Sequence, residues 1–320
     1  MVIVSLIVFV IACLIMIKSG GWFVGSLTRI SEHFKMSEFV IGFIVVALAT
    51  SVPELFVGVT SALEETPLLG LGTALGSNIV ALTLVTGMAV LLGKGLKLKE
   101  KTIKKDIFYM MLITLLPIVL MILGNGLSKI DGIILLFFFV AYMWRVFKQK
   151  RSFRKIINHV SREEAVSSTF IFFFSLILLF FSAEIIVRFG SLLSSDFGLP
   201  IIVVGLFAIA IGTSLPDLTF GVRSVLDKHE EMVMGEVIGS VVVNTTLVIG
   251  VLALLSKNVI LLDNNLIFFS SAAFVVVISF IFMTFAESER GFSLNEGMSL
   301  ILLYTFFIII EFYITTIGGA

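Results

Sequence analysis

The chain contains 320 residues, of which 58% are hydrophobic and 14% are charged, and its mean hydropathy is +1.16. A soluble domain of this length has no interior large enough to hide so much apolar surface, so the composition excludes a water-soluble protein and indicates a lipid-embedded one. The formal net charge of +0 gives no sign of a nucleic-acid partner, and a single cysteine excludes an internal disulfide. We therefore expect the lipid bilayer, and no nucleic acid, around this chain.

Ten stretches are apolar and long enough to cross the hydrocarbon core, which takes about 20 helical residues. The first is interpreted as a membrane span and not as a removable signal peptide, because it has neither a basic n-region nor a small-residue cleavage site. The predicted spans are residues 2–26, 39–63, 70–93, 106–124, 130–147, 166–190, 200–226, 232–255, 263–286 and 294–317. The fold class is therefore all-α integral membrane, with ten transmembrane helices and no soluble domain.

Lysine and arginine predict the orientation of these spans. Two loops are basic, one after span 3 and one after span 5, so both lie on the same side of the membrane. Their basic residues are Lys94, Lys97, Lys99, Lys101, Lys104, Lys105, Lys148, Lys150, Arg151, Arg154, Lys155 and Arg162. Because basic loops stay in the cytoplasm, the protein is expected in the cell membrane with both termini extracellular.

The second predicted span contains a helix breaker and an acid side by side, Pro53 and Glu54. A charged side chain near the bilayer centre costs at least about 2.5 kcal/mol, and a proline in a helix interior costs about 3 kcal/mol. The proline also frees a backbone carbonyl, near Ala49, that needs a new partner in lipid. Such a motif alone is usually a kink whose hydroxyls satisfy the backbone, so an ion site requires a second observation.

An internal repeat supplies that observation. Adding 163 to the residue numbers aligns spans 2–3 with spans 7–8 without a gap. The matched pairs include Gly42 with Gly205, Ala47 with Ala210, Thr50 with Thr213, Ser51 with Ser214, Pro53 with Pro216, Glu54 with Asp217, Gly76 with Gly239 and Ser77 with Ser240. Since five spans separate the copies, the second is predicted to be inverted. Inverted repeats with broken helices are typical of secondary transporters, with the site at the midplane.

The repeat also predicts the domain boundaries. Residues 1–147 form the first five-helix repeat, with its ion motif at 40–87, and residues 148–165 form a basic cytoplasmic loop. Residues 166–320 form the second, inverted five-helix repeat, with its ion motif at 203–250.

Oxygen atoms surround both predicted breaks. Thr50 and Glu54 are spaced by four and share a helix face, as do Thr213 and Asp217. Hard cations such as calcium take six to eight oxygen ligands, and the lack of histidine or cysteine nearby argues against zinc or copper. Two facing carboxylates balance one divalent or two monovalent ions. The sequence therefore favours a cation site between the two repeats.

The segments GFIVVALATSVPELFVGVTSA with GTALGSN, and VGLFAIAIGTSLPDLTFGVRSV with GEVIGSV, resemble the two repeats of the calcium/cation antiporter superfamily, in particular the prokaryotic sodium/calcium exchangers. The resemblance implies alternating access in which spans 1 and 6 slide. It also implies a functional monomer without a protein partner. The ligands that it implies are the acids Glu54 and Asp217, the hydroxyls of Thr50, Ser51, Ser77, Thr213, Ser214 and Ser240, and the carbonyls of Ala47 and Ala210.

The chain departs from the family pattern near these motifs. Asp217 stands where a glutamate is usual, which shortens that ligand by one methylene. Ala81 replaces a polar amide that supplies a ligand, and its mate is Asn244. Thr73 and Glu236 replace the asparagine of the usual Gly-Asn pair.

Glu236 is the departure with most consequence for function. Glu236, Ser240 and Asn244 are spaced by four and form one stripe on span 8, so we count all three as candidate ligands. Glu236 is either a third carboxylate in the ion pathway, a proton acceptor, or an acid in the first turns of a helix that faces water. Glu311, near the end of the last span, is expected to snorkel to the membrane interface.

These observations predict a secondary antiporter that exchanges calcium for sodium at a midplane site of two carboxylates. The alternative is a proton/calcium, or other divalent cation, exchanger that uses Glu236 as an additional proton-binding acid. A cation channel and a non-transporting sensor rank below exchange. An enzyme is not expected, because the sequence has no nucleophile–base pair, nucleotide loop or metal-hydrolase motif. No cofactor is expected beyond the transported Ca²⁺, Na⁺ and, in the alternative, H⁺.

Overall fold

A computed structural model describes residues 2–33, 46–96, 98, 101–148, 161–226, 230–261, 266–288 and 291–318. The first part of predicted span 39–63, with Gly42, and most of the basic loop 148–165 lie outside the described residues. The helices are α1 (Val2–His33), α2 (Ala47–Thr50), α3 (Val52–Leu63), α4 (Pro67–Val80), α5 (Thr86–Leu92), α6 (Lys101–Gly124), α7 (Lys129–Lys148), α8 (Arg162–Phe197), α9 (Ile201–Val203), α10 (Ala210–Thr213), α11 (Leu215–Leu226), α12 (Glu230–Val243), α13 (Ile249–Leu255), α14 (Leu266–Glu287) and α15 (Leu294–Gly318).

Three π-helical segments and one short strand pair are further secondary-structure elements of the described residues. The π-helical segments are Ala81–Val85, Val204–Ile209 and Asn244–Val248, and each continues an α-helix at both of its ends. Strand β1 (Gly126–Leu127) pairs antiparallel with β2 (Ile260–Leu261), with Gly126 opposite Leu261. The fold is therefore all-helical apart from a two-residue ribbon, as the hydropathy predicted.

Eight helical stretches of the described residues are long and apolar enough to cross a membrane. They are Val2–Leu27, Pro67–Leu92, Ile103–Gly124, Glu163–Phe197, Ile201–Leu226, Glu230–Leu255, Leu266–Glu287 and Leu294–Thr316. The two remaining predicted spans correspond to the shorter apolar stretch Ala47–Leu63 and to α7, which does not meet the same criteria. Ten spans therefore stay a prediction.

Helix α8 extends beyond the predicted span 166–190 at both ends. Its start is fixed by a capping box in which the Ser161 hydroxyl accepts from the Glu164 amide and the Glu164 carboxylate accepts from the Ser161 amide. Its end is set by Gly198, which adopts a left-handed conformation at φ 64°. Hydropathy reports only the apolar middle of a helix, so it did not reveal these polar turns.

The secondary structure repeats with the same offset of 163 residues that aligned the sequence motifs. Helices α2, α3, α4 and α5 match α10, α11, α12 and α13 residue for residue, and the π-helical segment Ala81–Val85 matches Asn244–Val248. The repeats are interlocked, because α2 packs against α12 and α10 packs against α4. Two equivalent broken helices thus meet at the centre of the molecule.

Helices α4 and α12, each with its π-helical segment and the helix that follows, are the most buried of the eight stretches. Glycines on α4 let it lie directly against the second repeat. A Cβ added to Gly76 would meet Ala210 Cβ at 2.6 Å and the carbonyl carbon of Leu206 at 2.9 Å. The glycine directly before Ser77 therefore lets a neighbouring helix approach closely.

Helices α1 and α8 pack along each other and share a hydrophobic cluster that is separate from the main core. Their pair crosses the outside of both helix breaks. A Cβ added to Gly20 of α1 would lie 3.1 Å from Pro216 Cγ and 3.6 Å from Pro53 Cγ. The first helix therefore contacts both prolines at once.

The close approach at Gly76 predicts the effect of a single methyl group. We expect Gly76→Ala to destabilise the folded protein by about 1–3 kcal/mol, because the added carbon has to push α4 away from Leu206 and Ala210. The measurement is thermal unfolding of the purified protein in detergent. Gly21→Ala on α1 is the matched control, since its Cβ would point into open space; equal melting temperatures for the two variants would contradict the tight packing.

Candidate functional site

The two helix breaks are single residues with nearly the same backbone conformation. Ser51 separates α2 from α3 at φ −84° and ψ −1°, and Ser214 separates α10 from α11 at φ −85° and ψ 1°. Pro53 and Pro216 follow within the first turn of the next helix, where the missing amide hydrogen costs least. The prolines therefore end one helix and start another, and the acids come directly after them.

Glu54 and Asp217 are both buried, each with 1% of its surface exposed. They lie close enough for the charge of one to affect the other. Ser77 on α4 donates a hydrogen bond from Oγ to Glu54 Oε1 at 3.0 Å, and its Oγ lies 3.3 Å from Thr213 Oγ1 of the second repeat. The acids from the two repeats thus share one polar cluster.

The threonines extend the contacts between the repeats. Thr213 lies beside Glu54, and Thr50 lies beside Asp217, so each acid is next to the threonine of the other repeat. Each threonine hydroxyl also bonds a carbonyl of its own helix. Thr50 Oγ1 is 3.3 Å from the oxygen of Ala47, and Thr213 Oγ1 is 3.2 Å from that of Ala210. The structure therefore brings both halves of the predicted ligand set together.

The carbonyls of Ala47 and Ala210 are already hydrogen-bonded. Each also accepts from the backbone amide at its break, Ser51 N at 3.3 Å and Ser214 N at 3.0 Å. To bind a cation, each carbonyl oxygen would use its remaining lone pair or lose one of its present hydrogen bonds.

Buried polar atoms without hydrogen-bond partners concentrate at the predicted ligands. They are Ser51 Oγ, Glu54 Oε2, Ser214 Oγ, Asp217 Oδ1, both carboxylate oxygens of Glu236, Ser240 Oγ and both amide atoms of Asn244. A buried polar atom without a partner costs about 1–3 kcal/mol, and more if it is charged. Nearly all of these atoms are oxygens, so a cation is a group that satisfies many of them together.

Glu236 is fully buried on α12 and interacts with Asp217 and Glu54. The interpretation of Glu236 as a water-facing acid in the first turns of a helix is therefore wrong. Its position near the start of predicted span 232–255 suggested a helix-end acid, but α12 turns Glu236 toward the protein interior. The described residues contain no group of three or more His, Cys, Asp or Glu arranged to hold a metal ion. A cation at this site would therefore depend on hydroxyl, amide and carbonyl oxygens as well as on acids.

Two features of the site were not found from the sequence. Asn78 Nδ2 donates to Thr245 Oγ1 at 2.9 Å, a buried bond between α4 and the π-helical segment Asn244–Val248. Neither residue has a polar mate under the 163-residue shift, so the repeat gave no signal for this bond. The π-helical segments themselves were also missed, although such segments often occur at functional sites.

Two equivalent helix breaks surround a cluster of buried oxygens without hydrogen-bond partners, and apolar helices enclose this cluster. These features are those of a membrane protein that binds or transports cations. Its sequence matches the family model described as sodium/calcium exchanger protein over residues 4–148 and again over residues 167–313. The chain belongs to this family. The sequence-based assignment to the calcium/cation antiporters is therefore confirmed.

Curated relatives and solved structures agree with this membership. The sodium/calcium exchanger MaX1 of Methanosarcina acetivorans is 24% identical, over 98% of this chain and 100% of its own length. The inner membrane protein YrbG of Escherichia coli is 27% identical, over 78% of this chain and 79% of its own length. The sodium-calcium exchanger NCX_Mj, soaked with 2.5 mM Na⁺ and 10 mM Sr²⁺, superposes with a TM-score of 0.69 at 27% identity, covering 97% of this chain and 99% of its own.

These findings establish the class of activity. The chain is a multi-pass membrane protein and a cation/calcium antiporter, and its family is one of transporters and not of enzymes. The family transports small cations, and its single-chain structural neighbours imply no protein partner.

Proposed function

We propose that the chain exchanges calcium for sodium by alternating access at the cluster around Glu54 and Asp217. The observation that carries this proposal is the pairing of two buried acids at equivalent helix breaks, surrounded by oxygens that have no partner. The similarity to MaX1 and NCX_Mj, which are named as sodium/calcium exchangers, supports calcium and sodium as the cargo.

The donor set suits a hard cation. Calcium takes six to eight oxygens at 2.3–2.6 Å in a flexible geometry. The carboxylates of Glu54 and Asp217 and the hydroxyls of Ser51, Ser77 and Ser214 supply the central ligands. Ser240, Asn244 and Glu236 line the same region on the side of α12 and its π-helical extension. Thr50 and Thr213, with the carbonyls of Ala47 and Ala210, complete the set once their local hydrogen bonds open.

Coupling follows from charge. An empty site with two carboxylates is costly to enclose in the membrane, because each unpaired charge costs at least about 2.5 kcal/mol. One calcium ion or several sodium ions neutralise the acids, so only a loaded site passes the enclosed intermediate. If three sodium ions exchange for one calcium ion, one net charge crosses, which links transport to the membrane potential at about 2.3 kcal/mol per 100 mV.

Alternating access requires one part of the molecule to move against the other. We propose ten spans in two inverted repeats, 1–147 and 166–320, with both termini extracellular and residues 148–165 cytoplasmic. The helix pair α1 and α8 is the moving element. One support is that the contacts of this pair with α2, α3, α4 and the segment Val204–Ile209 form a hydrophobic cluster separate from the main core. The other is the position of Gly20 beside both Pro53 and Pro216. Sliding of this pair across the breaks would open the cluster to one side at a time.

Glu236 favours a second candidate function, the exchange of calcium or another divalent cation for protons. A third buried acid beside Asp217 adds negative charge that a second cation or a proton has to neutralise. In this alternative Glu236 carries the proton while Glu54 and Asp217 bind the metal. Ala81 lacks the polar group of its mate Asn244, which removes one ligand from the sodium-binding set and points in the same direction.

The orientation predicts which loops a membrane-impermeant thiol reagent reaches. In a chain with Cys13→Ser, a cysteine at Lys257 is expected to react in intact cells, because the loop after α13 faces outward. A cysteine at Lys94 is expected to react only after the membrane is opened. Labelling is read by mass shift on a gel. The reverse pattern would invert the proposed topology.

The exchange proposal predicts calcium uptake into proteoliposomes that contain the purified protein and an outward sodium gradient. We expect Glu54→Gln and Asp217→Asn to lower uptake at least tenfold, because each removes a charged ligand and leaves the other acid unbalanced. Glu184→Gln is the matched control, since Glu184 is a partly exposed acid of α8 that pairs with Arg188 at 3.9 Å. Sodium-driven uptake that survives both site substitutions would exclude this cluster as the transport site.

Glu236→Gln separates the two candidate functions. If sodium drives exchange, an outward sodium gradient drives calcium uptake by the wild-type protein, and an outward proton gradient without sodium drives little uptake in either protein. If protons drive exchange, the wild-type protein takes up calcium under the proton gradient without sodium, and Glu236→Gln abolishes that uptake. The measurement is calcium flux under each gradient alone at a fixed membrane potential.

A further inference from the structure

Glu311 is a second buried acid position, away from the transport cluster. It lies near the end of α15 with none of its surface exposed, and Ser270 and Ser271 of α14 each place Oγ 2.8 Å from its Oε1. Its other oxygen, Oε2, is buried without a hydrogen-bond partner. The prediction that Glu311 snorkels to the interface is therefore wrong, because its side chain points between two helices and not toward the headgroups.

In the equivalent helix pair of the first repeat, a base stabilises the buried acid. Under the 163-residue shift, α6 and α7 correspond to α14 and α15. There, buried Asp106 is paired with Arg145 at 3.6 Å, and the guanidinium also lies 3.4 Å above the ring of Tyr109. In the second repeat the buried acid lies on the other helix of the pair: Asp106 of α6 aligns with Phe269 of α14, whereas Glu311 lies on α15. The side chains that contact this acid are serines instead of a base.

No base faces Glu311 from the described elements packed against α14 and α15. Helices α4, α5 and α9 and the π-helical segment Ala81–Val85 carry no titratable side chain. The titratable groups on α6, α14 and α15 themselves are Lys101, Lys104, Lys105, Asp106, Tyr109, Glu287, Glu296, Tyr304 and Tyr313. Lys104 Nζ bonds the carbonyls of Glu287 and Ser288, at the opposite end of α14 from Ser270.

The hydrogen bonds around Glu311 accommodate a proton on its carboxyl group. Each serine hydroxyl has a single hydrogen, yet both hydroxyls also lie near the carbonyl of Ile267, at 3.0 Å from Ser270 and 2.7 Å from Ser271. With a proton on Oε1, Ser270 donates to Oε1, Oε1 donates to Ser271, and Ser271 donates to Ile267. Oε2 has no donor in either state, so protonation leaves it as a neutral carbonyl oxygen, whereas ionisation would leave part of the negative charge on it.

A metal ion fits this position poorly. Calcium and magnesium require six or more oxygen ligands, whereas the cluster offers one carboxylate and two hydroxyls that already bond a helix carbonyl. A proton needs only one acceptor.

We propose that Glu311 is a proton-binding site in the interior of the α14–α15 pair, separate from the transport cluster. Helix α15 packs against α5 and the π-helical segment Ala81–Val85, where a Cβ added to Gly87 would lie 2.9 Å from the carbonyl oxygen of Gly297. Loss of the proton puts a charge between α14 and α15, and α15 packs directly against α5 and the π-helical segment Ala81–Val85 of the first repeat. The stability of the packing between α14, α15 and the first repeat therefore depends on pH, whichever ion drives transport.

The first test is infrared spectroscopy of the purified protein at pH 7. The difference between wild type and Glu311→Gln is expected to contain the carbonyl stretch of a protonated carboxylic acid. Glu296→Gln, an exposed acid that caps the start of the same helix, is the matched control and is expected to remove a carboxylate band instead. A carboxylate band lost in Glu311→Gln would overturn the proposal.

Two further measurements keep the test independent of how well that variant folds. Ser271→Ala removes the acceptor of the Glu311 proton, so it is expected to shift the frequency of the acid band; an unmoved frequency would contradict the assignment.

The second measurement is thermal unfolding of the purified protein between pH 7 and pH 9. A proton bound only by the folded state stabilises it at low pH, so the melting temperature of wild type is expected to fall with rising pH more than that of Glu311→Gln. Equal falls would also overturn the proposal.

Discussion

The structure depends on the cost of placing carboxylates in a membrane without bases. Glu54, Asp217 and Glu236 lie together, fully or almost fully buried, and no lysine or arginine of the described residues forms an ion pair with them. Folding alone gives no gain from such an arrangement, since an apolar residue of similar size would avoid the penalty. The cost falls if an external positive charge, either a metal cation or a proton, is bound for most of the time. Under the proposed function, occupancy by a cation would therefore contribute to the stability of the fold.

The helix breaks serve the same requirement. A continuous helix would direct its carbonyls along the axis and leave no donor or acceptor free at the centre of the bundle. Interruption at Ser51 and Ser214 provides hydroxyls and backbone groups at the level of the acids, while Pro53 and Pro216 restart each helix at once. The π-helical segments after α4 and α12 continue this pattern, because a wider turn changes which side chains face the cluster. The helix breaks thus place irregular backbone next to polar side chains.

Much of this arrangement was predictable because a repeat doubles the evidence. The offset of 163 residues in the sequence predicts both breaks, both acids and the flanking hydroxyls. The helix boundaries repeat with the same offset. What was not predictable depends on the rotation of single helices. Hydropathy could not tell that Glu236 faces inward near the start of α12, or that Glu311 turns toward Ser270 and Ser271. The bond of Asn78 to Thr245 joins positions without repeat mates, so no pattern indicated it.

The two repeats contribute different polar groups to the cluster at the positions where their sequences differ. The duplicated breaks alone would give a symmetric site with one acid from each half, whose charge of two suits one calcium ion. Glu236 has Thr73 as its mate, and Asn244 has Ala81, so the second repeat carries the extra polar groups of the cluster. Thr73 satisfies itself by bonding the carbonyl of Leu69 at 2.9 Å, whereas Glu236 has no hydrogen-bond partner. The additional demand for positive charge therefore falls on one side of the cluster. In the proposed exchange, the ion that meets this demand would decide whether sodium or protons drive transport.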